Sequence, residues 1–388
     1  MSRPAFNPHV AAIQAPPIPA AQAWARAYDG ARGSLIDLSQ AAPGGAPHPD
    51  LLAALAEAAG SPHAARYGAI LGDERLRAAL AGEVAALYGG RVDAGNVAIT
   101  AGCNAAFVAT ALLVAAPGDA VLLPTPWYFN HEMSLSMLGI EARALPTRAE
   151  TGFVPDVADA EPLIDARVRA IVLVTPNNPT GATYPPATIA AFADLARRRG
   201  LWLVLDETYR DFLPAGTGAP HGLLAEPGWG EHVIQLYSFS KSYAVPGHRL
   251  GAMLAGEEAI AEIAKILDNV QICPARAGQA AVAWAIDALR DWREAARAEL
   301  EARAAAFAAA LAPHPDWRID QIGPYFAYVR HPFPGTPAAE VARRLAGERG
   351  VLALPGSFFG PGQETHLRIA FANVGVAALG DLTARLSG

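Results

Sequence analysis

Four short apolar runs constrain the architecture of this 388-residue chain more than any other feature: DAVLLP (119–124), RAIVLVTP (169–176), LWLVLDE (201–207) and HVIQLYSFS (232–240). They read as continuous apolar stretches, not as alternating ones, and RAIVLVTP is the most strongly β-branched. Helical patterns lie around them, GCNAAFVATALLVAA (102–116) ahead of the first and PPATIAAFADLARRRG (185–200) inside the series. Apolar strands interleaved with helices predict a mainly parallel sheet covered on both faces, an α/β fold. In such sheets ligands bind beyond the carboxyl ends of the strands. Polar residues stand at those ends: Asn178 after IVLVTP, Asp206 after WLVL and Lys241 after QLYSFS.

The flanks complete the organisation. The first forty or so residues are rich in Pro and Ala, and QAAPGGAPHPD (40–50) breaks any regular element. DLLAALAEAA (50–59) and ERLRAALAGEVAALYGG (74–90) carry helical periodicity, and NVAIT (96–100) reads as a further strand. Beyond residue 280 the character changes. Residues 281–312 read as one long helix broken by Pro313, followed by DWRIDQIGPYFAYVRH, a helix near 338–350, and the strand-like VLALPGSFFG and THLRIAFA. The expected division is 1–44 as an N-terminal arm with part of a small domain, 45–280 as a large domain, and 281–388 as a small α+β domain.

Composition excludes several classes. A formal charge of −7 gives no basic footprint for nucleic acid. The 52% hydrophobic and 17% charged content is globular. Cys103 and Cys273 lack metal-ligand spacing and cannot build a disulfide scaffold. Prolines interrupt the start of the chain where a signal peptide needs an apolar core, and FVATALLVAA is too short to cross a bilayer. The expectation is a cytoplasmic protein with no membrane partner.

Lys241 and Lys265 are the only lysines in a chain otherwise rich in arginine. An amine can form a Schiff base and shuttle a proton, whereas a permanently charged guanidinium can do neither. Ser238 and Arg249 flank Lys241 as candidates for gripping a phosphate. Gly102, Cys103 and Asn104 stand where a strand turns into a helix, so backbone N–H groups there favour an anion. Asp206 closes an apolar strand and needs a partner, either structural or a protonated ring nitrogen. Asn178 sits in the turn-forming TPNNPTG, and Tyr209 follows Asp206 by three residues.

Seven blocks in order resemble the class I/II aminotransferases, pyridoxal-phosphate enzymes of fold type I: YGAILGDERLR (67–77), TAGCNAAF (100–107), PTPWYF (124–129), NNPTG (177–181), DETYRDF (206–212), SFSKSYAVPGHRLG (238–251) and HLRIAFA (366–372). The resemblance implies a seven-stranded-type sheet in a large domain that binds pyridoxal 5′-phosphate. It implies that Lys241 holds the cofactor as a Schiff base, that Asp206 keeps the pyridine nitrogen protonated, and that Asn178 and Tyr209 contact the ring hydroxyl. Ser238, Arg249 and the backbone at Gly102, Cys103 and Asn104 would hold the phosphate. Tyr128, preferred to Trp127, would stack on the ring. Arg368 would clamp the α-carboxylate of an amino acid or 2-oxo acid, with Asn178 and Tyr128 beside it. Tyr67 would reach the neighbouring site of a homodimer.

DLSQAAPGG departs from the family by placing Ala41 or Ala42 where a glycine usually approaches the substrate. No arginine is assigned to a second substrate carboxylate. Tyr325, Phe359 and the PTPWYF aromatics point to an apolar or aromatic-tolerant pocket. Carbon–sulfur β-lyase and cyclopropane-forming synthase chemistry share the same Cα carbanion and stay open as alternatives. An effector-sensing half of a transcription regulator is disfavoured by the acidic charge and by a chain that begins almost directly with the arm.

Overall fold

The computed structural model describes residues 4–387. Its strands, in chain order, are β1 Ile36–Asp37, β2 Val97–Thr100, β3 Ala120–Thr125, β4 Glu141–Pro146, β5 Val168–Val174, β6 Trp202–Asp206, β7 Val233–Ser238 and β8 Gly251–Leu254. They continue with β9 Arg318–Ile322, β10 Ala327–Arg330, β11 Val351–Leu352, β12 Leu354–Pro355 and β13 His366–Ile369. Seven of them form one sheet in the order β2-β8-β7-β6-β5-β3-β4. Only β8 runs against its neighbours in this sheet, pairing antiparallel with both β2 and β7. The mainly parallel sheet read from the sequence is therefore present.

Continuous apolarity of the strands follows from burial on both faces. Ile171, Leu173, Leu203 and Leu205 point into one core, where Ile189 and Phe192 of the helix Pro186–Arg199 meet them. Val172, Val204, Ile234 and Leu236 point into the other, against Phe107 of the helix Cys103–Val114 and Ile260 and Ile263 of Glu257–Val270. Full burial of one such side chain contributes about 1.5–3 kcal/mol, so both faces demand apolar residues. Pro186 opens its helix, three arginines complement the carbonyl end, and Gly200 at φ +64 stops it.

A smaller antiparallel sheet has the order β12-β13-β10-β9. Its core gathers Phe307, Phe326, Val329, Val341, Leu367 and Phe371. The N-terminal segment joins it, because β1 pairs in parallel with β11 through Ile36 and Val351, and Ile36 and Leu38 are buried there.

The long helix expected over 281–312 is in fact two, Arg276–Ala288 and Arg290–Leu311, with Leu289 out of helical geometry at φ −109 and ψ 24. Neither Pro nor Gly marks the break. Burial explains it: Val282, Ile286 and Leu289 serve the core of the large sheet, whereas Leu300, Phe307 and Leu311 serve the smaller one. One straight helix cannot bury both stripes. Trp292 still packs on the first core, so the change of core falls between it and Leu300, and position 280/281 lies inside the helix Arg276–Ala288. Two strands of the large sheet, β4 and β8, gave no apolar run: β4 is largely solvent-facing at the sheet edge, and β8 is only GAML. Among the described residues no helix is long and apolar enough to cross a membrane.

Candidate active site

A cavity of about 450 Å³ lies over the carboxyl ends of the central strands. Asp206 is the last residue of β6 and lies beside Val174 of β5 and Leu236 of β7. Lys241 sits one step past β7, in a single helical turn, Phe239–Ser242, capped by the Ser238 hydroxyl accepting from the Ser240 N–H at 3.3 Å. Cys103, Asn104, Tyr128, Asn178, Asp206, Tyr209, Ser238, Lys241, Arg249 and Arg368 all line this one cavity. Residues from sequence positions far apart converge because the parallel strands end on one side.

Asp206 is 4% exposed and therefore needs satisfied oxygens. Oδ1 accepts from the Thr208 N–H at 3.1 Å and the Thr208 hydroxyl at 2.7 Å. Oδ2 lies 3.2 Å from His131 Nε2. Burial alone would raise the pKa of this carboxyl, but the His131 and Thr208 contacts outweigh it and hold the group below the usual carboxylate range. His131 is itself fixed, stacked on Phe107 with ring centroids 3.9 Å apart and edge-on to Tyr128.

Arg368 marks the opposite wall. It stands on β13 and is 1% exposed, with its guanidinium over the rings of Phe326 and Phe359 at 5.1 and 5.0 Å. Nη1 donates to Asn178 Oδ1 at 3.0 Å and Nη2 to the Ser39 carbonyl, while Nε is buried without a partner. Desolvation pulls its pKa down to about 10. A buried cation with an unspent donor and, among the described residues, no carboxylate within ion-pair distance is suited to an anion.

The third wall is an anion cradle. The helix Cys103–Val114 begins at Gly102 with no side-chain cap, so its first N–H groups stay unspent. Gly102 has φ +88, and a Cβ there would run into the Arg249 guanidinium. Arg249 is held in the left-handed region at φ +52, and Nη1 donates to the Pro246 carbonyl at 3.1 Å. Ser238 and Ser240 complete this wall.

Between these walls Lys241 Nζ donates to the Ala41 carbonyl. Desolvation first, then the charges of Arg368 and Arg249, pull its pKa down to about 8. The amine is thus far readier to act as a nucleophile or base near neutral pH than an ordinary lysine. Ala41 and Ala42, where a glycine was looked for, both line the cavity.

Not every residue singled out in the sequence lines this cavity. Tyr67 is 80% exposed and outside the cavity in this chain. Trp127 borders a neighbouring hollow, while Tyr128 faces the cavity and lies 3.5 Å from Asn104 Oδ1. Tyr325 and Phe359 are core residues: Tyr325 packs on Tyr209 and Phe212, and Phe359 lies beneath Arg368. His131 and Thr208 escaped the sequence reading. His131 lies two residues beyond the PTPWYF block, and a histidine there carries no local signal. Among the described residues no group of three or more His, Cys, Asp or Glu side chains gathers as a metal would require.

A sheet of this topology with an amine, a carboxylate and two guanidinium groups around one cavity defines a class, and comparison with known proteins agrees. The family described as aminotransferase class I and II matches residues 34–386, so the chain belongs to that family, a family of transaminases. It is 31% identical over 316 residues to an arginine–pyruvate transaminase of Pseudomonas aeruginosa, covering 80% of this chain and 78% of that protein. It is 30% identical over 317 residues to a capreomycidine synthase of Streptomyces vinaceus, covering 79% and 76%. Among solved structures, a Thermus thermophilus aspartate aminotransferase with maleate superposes with a TM-score of 0.90 at 25% identity, covering 99% of each chain.

Proposed function

We propose that this protein is a pyridoxal-phosphate-dependent aminotransferase that moves an amino group between an L-amino acid and a 2-oxo acid, with Lys241 as the covalent and proton-transfer residue. One observation carries the reading: the amine of Lys241, with its pKa lowered to about 8, shares a single cavity with Asp206 and Arg368.

The residues fit the cofactor. The uncapped helix start at Gly102, with Ser238 and Arg249, suits a phosphate. Asp206, held ionised by His131 and Thr208, suits a protonated ring nitrogen. Asn178 and Tyr209 line the same cavity and would meet a ring hydroxyl, and Tyr128, also in its lining, would stack on the ring. When bound, pyridoxal phosphate supplies an electron-accepting ring that takes up the charge left on the substrate Cα.

The rest is done by the chain. Arg368 orients the substrate by its α-carboxylate. Asp206 would keep its negative charge beside the protonated ring nitrogen. Lys241 would take the substrate Cα proton and give it back, as base and then acid. With the cavity closed around the reactants, these groups act at low dielectric.

The exposed Tyr67, with Ile70, Val270 and Ile272 also exposed, supports a homodimer in which Tyr67 reaches the neighbouring site. A cytoplasmic setting suits small-molecule substrates.

A donor panel tests the reading. Added cofactor should produce an absorption band that an amino-acid donor bleaches and a 2-oxo acid restores. A band that never forms would sink the proposal. The similarity to a capreomycidine synthase keeps one second reading, a lyase or synthase using the same Cα chemistry. Ammonia and pyruvate from a cysteine conjugate, without amino transfer, would decide for the lyase. In the apoenzyme, the rate at which Lys241 reacts with a simple aldehyde should rise with pH to a midpoint of about 8, because the neutral amine appears above that value.

A further inference from the structure

Lys241 borders two cavities. The first holds Asp206 and Arg368. The second, of about 190 Å³, lies between residues 43–46 and the helix Arg290–Leu311, and among the described residues Lys241 alone is common to the two linings. The segment Gln40–Ala46 is the partition: Gln40, Ala41 and Ala42 line the front, Pro43 to Ala46 line the rear, and the Ala41 carbonyl accepts from Lys241 Nζ.

The size, the polar wall and the open rim of this rear chamber suit it to water. Its volume exceeds what one water needs, and its polar wall residues are Lys241, Ser242, Glu299, Arg303 and Tyr325. Arg303 is 7% exposed, with Nη1 and Nη2 bound to the Ala372 carbonyl and Glu299, but its Nε is buried without a partner. An apolar void stays dry, whereas a roomy one walled by polar side chains suits water. Two non-glycine wall residues, Ala244 at φ +53 and Tyr325 at φ +68, are held in the left-handed region. The rim residues Gly45 and Ala295 are exposed, which connects the chamber to bulk solvent.

We propose that the rear chamber is a water site that hydrates Lys241 from the side opposite the substrate and delivers the water consumed when the 2-oxo acid is released. The second part rests on the aminotransferase reading. Release breaks the carbon–nitrogen double bond to the substrate carbon. The water oxygen becomes the carbonyl oxygen, and both water hydrogens end on the nitrogen retained by the cofactor. Substrate and cofactor fill the front cavity at that moment, so a rear supply removes the need to open the front.

High-resolution diffraction of the holoenzyme with an unreactive substrate analogue should show ordered water in the rear chamber within hydrogen-bond distance of Lys241 Nζ. A chamber without water overturns the proposal. Ala296→Leu fills the chamber from the helix. It should slow 2-oxo acid release about 10-fold while deuterium washout from the donor Cα stays within about 2-fold. Ala296→Ser, which leaves the space open, should match the parent. Equal loss in both rates, or no loss in either with the chamber filled, overturns the water-delivery role. If A296L does not fold, Ala295→Leu fills the chamber from the rim and is judged by the same two rates. A parent enzyme that washes out no Cα deuterium with any donor overturns the aminotransferase reading and the delivery role with it, and diffraction alone then decides the hydration of Lys241.

Discussion

The cavity has two anion-receiving ends, built on opposite plans. At one end Arg249 is exposed and shares its task with a helix start, Ser238 and Ser240. At the other, Arg368 is 1% exposed, is braced by Asn178 and the Ser39 carbonyl, and is the single cation of its wall. A distributed site loses one contact when one residue changes. A buried single guanidinium leaves Asn178 Oδ1 and a backbone carbonyl unpaired as well, and an unpaired buried group costs more than its hydrogen bond was worth. On the proposed function the division would match the tasks: a resident group held by many weak contacts, and a transient substrate recognised by one planar fork.

Substitutions sharpen this contrast. Arg368→Ala should lower kcat/KM for amino-acid donors by about 1,000-fold, since truncating one partner of a buried charge pair costs 2–5 kcal/mol. Arg368→Lys should still lose about 100-fold, because an ammonium cannot offer the fork. Arg249→Ala should raise the cofactor dissociation constant about 10-fold, read by titrating the absorption band, and leave kcat at saturating cofactor little changed. Equal effects at the two ends would break the contrast. The smallest effect is expected from His131→Phe. Asp206 then loses its 3.2 Å partner and its pKa rises, so the acid limb of the kcat/KM profile should move to higher pH with a loss of a few-fold at neutral pH. An acid limb that stays in place would mean His131 does not support the charge of Asp206.

What the sequence allowed to be read follows the same division. Lys241, Asp206 and Asn178 were legible because each follows an apolar run that can only be a buried strand, and parallel strands bring their ends together. Arg368 needed the resemblance, since nothing local distinguishes HLRIAFA from any short strand. His131 was invisible because its pairing with Asp206 depends on how the helix Phe129–Met137 lies on the sheet, not on its neighbours in the chain. The contacts of Ser39 and Ala41 use backbone carbonyls, which no side-chain pattern records. The break at Leu289 was missed for a related reason: both halves are good helix formers, and only the two separate cores force the bend.

Covalent attachment at Lys241 is the centre of this account, and chemical trapping tests it most directly. The holoenzyme is reduced with borohydride, digested, and its peptides are weighed. The account predicts one reduced pyridoxyl group, carried by the peptide containing Lys241 and absent from the Lys241→Ala protein. A label on Lys265 or at the N-terminus instead, or no label on a protein that shows the cofactor band, would contradict it.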